Sequence, residues 1–241
     1  DEAGTQISNG RLNVESISKG TVTQCGDIRA ELKSVRKASK LYLTVSVEGT
    51  EWKNTWPVWV YPRIESLNVG DVLLTQDVEE ALAALKQGRK VLFSPKMSYL
   101  KGLEGCNTQH AALRHFPTEM HSNWQWWNLV KRSKVLVVDS LPPVEPIVES
   151  IDNFTNNRKL VSVFETKCGK GKLIMSAMDI LSEGSDKPEI QQMLYSLVTY
   201  MNSESFAPRT MLGEEDIRSL ILKNEGKVIE TKATSIYRGL D

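Results

Sequence analysis

The period of the hydrophobic pattern changes once along this chain, near residue 70, and the change limits what each part can fold into. Before it, Leu41, Leu43, Val45 and Val47 alternate with Tyr42, Thr44, Ser46 and Glu48. That two-residue repeat predicts a half-buried strand. Arg11–Val14 and Gly26–Leu32 are weaker runs separated by turn residues, and Val58–Tyr61 reads as a further strand stopped by Pro62. No helical period is visible before residue 76. The first part therefore reads as a partial antiparallel β-sandwich.

Beyond the change, strands alternate with helices. Asp71–Leu74, Lys90–Ser94 and Lys134–Asp139 are short apolar strands, and Leu160–Glu165 and Lys172–Met178 flank the turn Gly169-Lys170-Gly171 as a hairpin. Asp77 reads as an N-cap with Glu80 as its capping-box partner, followed by Val78, Ala81, Leu82 and Leu85 on one helical face and Gly88 at the end. Ile190, Met193, Leu194, Leu197, Val198 and Met201 repeat at helical spacing after Pro188. A last helix is expected near Glu214–Leu222, then an extended tail. Continuous apolar strands of this kind suit a sheet covered by helices on both faces, an α/β fold. The expected organisation is a β-sandwich (Ig-like) segment over 1–64, an α/β domain over 65–210, and a C-terminal helix and tail over 211–241.

Thirty basic and thirty acidic residues cancel among 241, with no long block of either sign. That balance lacks the electrostatic footprint of a nucleic-acid binder. No apolar run approaches the roughly 20 residues that cross a bilayer, so no membrane partner is expected. No signal peptide is visible at Asp1, which suggests a processed chain or a piece of a longer one. Cys25, Cys106 and Cys168 are widely spaced and odd in number, so their disulfide status stays open.

Candidate chemistry is thin. His110, His115 and His121 lie near Glu119, but their spacing matches no zinc pattern, and neither a metal nor another cofactor is expected. Cys106 does not sit in the strand–turn–helix setting of an activated nucleophile. Asp139 and Asp179 end strands, where α/β sheets place ligands. They read either as an acid/base pair or as bonds to loop amides, the usual fate of Asp after a strand.

All six tryptophans fall in two clusters, Trp52, Trp56 and Trp59, and Trp124, Trp126 and Trp127. Indoles combine a broad apolar face with one N–H donor, so such clusters either pack a domain seam or form a platform for sugar rings. Trp124 and Trp127 are three apart and would face the same way on a helix. The carbohydrate-contact candidates are Trp52, Trp56, Trp124, Trp126, Glu119, His121, Asn123 and Gln125, and both uses stay open.

These segments carry a resemblance. Val47–Glu51 with Asn54–Pro62, His110–Leu113 with Phe116–Trp127, Phe164–Ser176, and Leu197–Ser203 with Phe206–Pro208 resemble segments of large family 2 glycoside hydrolases (β-galactosidase-like) of Bacteroides-type bacteria. The resemblance covers roughly residues 20 to 210 and concerns the non-catalytic C-terminal portion of that family. The family's two catalytic glutamates sit on a (β/α)8 barrel; no glutamate here matches either, so no catalytic residue is assigned. The resemblance implies a three-layer flavodoxin/amidotransferase-like sheet, similar to class I glutamine amidotransferase or β-galactosidase trimerisation domains, without the amidotransferase nucleophile. It also implies an accessory role beside the remaining domains of a parent hydrolase, in contact with oligosaccharide, in a periplasmic or secreted setting. The rival readings are a stand-alone carbohydrate-binding module, or a hydrolase using Asp139, Asp179 or the His110–His121 segment.

Overall fold

A computed structural model describes residues 1–96, 103–106, 109–131, 133–182 and 186–222. The expected tail after Leu222 lies outside the described residues. The chain divides into two compact units, Asp1–Ile64 and Glu65–Asp241. As a whole it is mixed α/β, with a two-stranded antiparallel sheet and an eight-stranded mixed sheet.

In the first unit, β1 (Ser39–Ser46) and β2 (Lys53–Val60) form an antiparallel hairpin pairing Leu41 with Val58, Leu43 with Trp56 and Val45 with Asn54. Val47 N–H donates to Trp52 O at 3.0 Å, and Gly49 takes φ +75° in the connecting turn. Paired residues of an antiparallel ladder share a face. One face therefore carries Leu41, Leu43, Val45, Val47, Trp52, Trp56 and Val58, while Thr44 and Thr55 meet at 2.9 Å on the other. The expected strand is present, but its half-burial is not: Leu41 is buried, and Leu43, Val45, Val47, Trp52, Trp56 and Val58 are exposed. Arg11–Val14 and Gly26–Leu32, expected as strands, have no regular structure. No neighbouring strand takes up their amides, and a short apolar run cannot hold an extended ladder alone. The sandwich is thus a hairpin among the described residues.

The second unit begins with β3 (Val72–Thr75), α1 (Val78–Lys86) and β4 (Lys90–Phe93). Asp77 caps α1 as expected, its Oδ1 accepting from Glu80 N at 2.8 Å. The capping box does not close. Glu80 accepts instead from the Thr75 hydroxyl, which in turn accepts from Asp77 N at 3.0 Å. Gly88 turns the chain out of the helix at φ +84°. Then come β5 (Leu103–Cys106), α2 (Trp127–Lys131), β6 (Leu136–Val137), β7 (Glu145–Ile151), β8 (Leu160–Cys168) and β9 (Gly171–Ser176). They are followed by α3 (Pro188–Met201), β10 (Met211–Leu212) and α4 (Glu214–Leu222).

The strand order is β3-β4-β9-β8-β7-β5, with β6 and β10 pairing to β8. β3, β4 and β9 are parallel, and β8 and β9 form the antiparallel hairpin read from the Gly-Lys-Gly turn. The strand expected over Lys134–Asp139 shrinks to two residues, because β9 leaves only the first residues of β8 open on that edge. Neighbouring residues on each strand enter opposite cores. Val91, Phe93, Leu173 and Met175 pack with Ala81, Leu82 and Leu85 of α1 and Ile217 and Leu220 of α4. Leu92, Ile174 and Val163 pack with Ile190, Met193, Leu197 and Val198 of α3. A β-carbon at Gly171 would lie 2.5 Å from Arg89 O and 2.9 Å from Leu85 Cα, so the lack of a side chain lets α1 close down on β9. No described helix is long and apolar enough to cross a membrane.

Candidate functional site

The stretch from His110 to Lys131 has little regular structure and is held by its side chains. His110 Nδ1 accepts from Ala112 N at 3.2 Å, starting a single 3-10 turn, Ala111–Leu113. Helix α3 then anchors the segment: Ser196 Oγ donates to Ala112 O at 2.6 Å, and Gln192 Nε2 donates to His115 O at 2.6 Å. Phe116 is buried, edge to face with Trp126 at 5.2 Å between centroids. The Trp126 indole donates to Thr118 Oγ1 at 3.1 Å, and Gln125 donates to Pro117 O.

This anchoring decides where the three indoles point. Residues three apart share a side of a helical turn, so sending Trp126 and Leu129 inward turns Trp124 and Trp127 outward. Trp126 is 0% exposed, against 76% for Trp124 and 60% for Trp127. The two outer rings sit 6.2 Å apart at 43°. They border a shallow concavity of about 300 Å³ with Ser122, Asn123 and Val130, and Trp126 lies behind it. Beside them, Asn123 Nδ2 donates to Glu119 Oε2 at 3.0 Å, and His121 Nε2 lies 3.6 Å from the same oxygen. Asn123 Oδ1 is buried without a hydrogen-bond partner.

Of the expected contact residues, Glu119, His121, Asn123 and Trp124 therefore gather at one place. Trp126 and Gln125 do not belong with them. Their side chains are buried and bond to backbone or to Thr118, with Trp126 lining the concavity from beneath. Trp127, absent from that set, takes their place, and its three-residue offset from Trp124 was the available signal. Trp52 and Trp56 are exposed in the first unit, on the hairpin face that also carries Leu43, Val45, Asn54 and Val58.

The strand-end aspartates are engaged with amides. Asp139 accepts from Lys159 N through both oxygens, at 3.1 and 3.2 Å. Asp179 accepts from Ser182 N at 3.1 Å. Gln76, beyond β3, completes this end of the sheet by donating to Ser94 O at 3.1 Å and to Ser182 Oγ at 3.0 Å. These bonds fit the turn-forming role of both carboxylates.

Among the described residues no group of His, Cys, Asp and Glu is placed to hold a metal ion. His115 packs against Tyr195 and His110 against Tyr200, which separates them from His121. The Cys106 side chain lies outside the described residues. Cys168 is buried, and burial pushes its thiol above the ordinary value.

A second polar group lies inside the fold and was not read from the sequence. Glu165, in the middle of β8, is 2% exposed, and its Oε2 accepts from the Tyr200 hydroxyl at 2.7 Å. Burial pushes its carboxyl up to about 7, and the facing Glu145 adds to the shift.

No curated protein matches the chain. A family model described as a domain of unknown function, DUF8488, matches residues 1–62, a span close to the first unit. A second, likewise a domain of unknown function, DUF8487, matches residues 102–222. That match takes in the indole segment, β5 to β10, α3 and α4, and just over half of the 241 residues, so the chain belongs to the DUF8487 family.

Proposed function

We propose that this chain is a non-catalytic accessory region of a family 2 glycoside hydrolase, and that the Trp124–Trp127 surface contacts oligosaccharide. One observation carries the reading: two outward indoles 6.2 Å apart stand beside Glu119, His121 and Asn123 over a shallow concavity. Sugar rings stack their C–H faces on indoles while amides and carboxylates bond the hydroxyls, and a shallow surface suits a chain rather than a small enclosed ligand. The resemblance of the same segment to the hydrolase family supports it. Helices packed on both faces of the sheet agree with a flavodoxin/amidotransferase-like layering, and the amide bonds of Asp139 and Asp179 favour an inert relative of that fold. The bare apolar face of the β1–β2 hairpin suits a second task, packing against another domain of the parent protein. Such a protein would act in the periplasm or outside the cell.

Titration of the full chain with β-linked oligosaccharides, followed by calorimetry or indole fluorescence, tests the reading. Trp124→Ala and Trp127→Ala are each expected to weaken binding about tenfold or more while leaving unfolding within ~0.5 kcal/mol of the parent. Binding unaffected by both substitutions would remove the platform. Hydrolysis of aryl glycosides by the isolated chain, lost in Asp179→Ala, would remove the accessory role.

A further inference from the structure

Glu165 belongs to a cluster whose hydrogen bonds require one more proton than its ordinary ionisation supplies. The Tyr200 hydroxyl lies 2.7 Å from Glu165 Oε2 and 3.2 Å from Ser205 O, yet it has a single proton. Tyr200 gives that proton to Glu165 Oε2, the shorter contact, and the Glu145 carboxyl also stands within hydrogen-bond reach of Glu165, a bond that two carboxyls make only when one of them carries a proton. Across the ladder, Glu145 pairs with Glu165 and brings a second carboxylate against it. The Arg209 guanidinium donates to Glu145 at 2.8 Å but is largely exposed, so it offsets only part of the charge between the two carboxyls.

His110 does not supply the missing charge. Its Nδ1 accepts from Ala112 N, which leaves the ring proton on Nε2, 3.9 Å from Glu165 Oε2. Protonating Nδ1 would break that cap, and burial holds the imidazole below its ordinary value. On the same face, the Lys172 ammonium is taken by Phe206 O at 2.7 Å and lies over the Phe206 ring. Lys167, two residues along β8, is the remaining charged group on that face of the strand. The groups facing Glu165 are therefore two neutral rings, one acid, the engaged cations Lys172 and Arg209, and Lys167 two residues along the strand.

We propose that the Glu145–Glu165 pair shares one proton and acts as a pH-sensitive clasp, joining helix α3 and the His110 turn to the centre of the sheet. With the proton in place, the buried cluster is neutral and its donors and acceptors match. Once the proton leaves, a buried charge faces a second carboxylate, and the contacts of Tyr200 and His110 with β8 are weakened. His110 begins the segment that carries Trp124 and Trp127, so the clasp sits upstream of the indole surface without depending on what that surface binds.

The sign follows from an acid whose folded value lies above its unfolded one. Its contribution is whole below about pH 4.5 and declines as pH rises, until it is gone above about 7. The unfolding equilibrium constant should rise on the order of 100-fold from this group across that window. Urea unfolding of the full chain between pH 4.5 and 8.5 reads it directly. The Glu165→Gln variant, which mimics the protonated acid, is expected to lose that component and to match or exceed the parent at pH 8. Parent and variant declining in parallel would overturn the proposal. Tyr200→Phe removes the bond that favours the ionised carboxylate, so the decline should move to higher pH; a shift to lower pH counts against the clasp. If Glu165→Gln fails to fold, the infrared absorption of the unmodified protein still decides. A protonated-carboxyl C=O stretch must be present at pH 6 and fade by pH 8, and its absence at pH 6 overturns the proposal.

Discussion

In β9, Leu173, Ile174 and Met175 are all buried, whereas in β1 Leu43 and Val45 are both exposed. Both strands are apolar and both are well paired, so the difference lies in what covers them. β9 runs between β4 and β8, with α1 and α4 on one face and α3 on the other. The hairpin of the first unit has two strands and no packed helix, and a two-stranded sheet is only marginally stable by itself. Apolar content thus does not make a core; a second layer does.

The widest gap between the units should come from Trp126→Ala. Its indole is fully buried against Phe116 and bonded to Thr118, so its loss should cost about 3–5 kcal/mol in urea unfolding of the second unit. A cost under ~1 kcal/mol would mean that the two units are less different than their burial implies. Asp152→Asn tests a smaller effect. Asp152 is clamped by Arg158 Nε at 2.7 Å and by Arg158 Nη2 at 3.0 Å, on side chains little exposed to solvent. Those bonds hold its carboxyl well below the usual carboxylate range. Its contribution is therefore complete above about pH 4 and lost as the solution is acidified further. The variant should be about 2 kcal/mol less stable at pH 7 and converge with the parent in acid. An equal deficit at pH 7 and pH 2 would show that the ion pair is not the cause. Trp56→Ser should give the smallest change, within about 0.5 kcal/mol, because the ring it removes is exposed. A loss comparable to that of Trp126→Ala would show that the hairpin has a core of its own.

Local periodicity carried most of the fold. The hairpin at Gly169–Gly171, the Asp77 cap, the Pro188 start of α3 and the span of α4 follow from short-range chemistry and are present. Arg11–Val14 and Gly26–Leu32 failed as strands because pairing is non-local, and a short run does not report whether a neighbour exists. Lys134–Asp139 was cut to two residues for a related reason: the open length of β8 sets the length of β6. At the indole cluster the three-residue spacing of Trp124 and Trp127 held the answer, but which of two faces points outward depends on Phe116 and Thr118. Glu165 was illegible for a deeper reason. A charged residue in a strand reads as a solvent-facing position, and only the strand order, with β7 and β9 on either side under α3, turns it inward.

The placement of β9 between β4 and β8 also has a consequence for synthesis. β4 pairs with β9 through Lys90↔Lys172 to Phe93↔Met175, so one edge of β4 waits about 80 residues for its neighbour. At roughly 5–20 residues per second, a nascent chain carries that open edge for several seconds or more. During that interval β3, α1 and β4 can form, with Phe93 against α1, but Leu92 has no α3 to pack against. Arrest of translation shortly before Gly171 should therefore yield a chain that engages holdase chaperones, and extension past Met201 should release it.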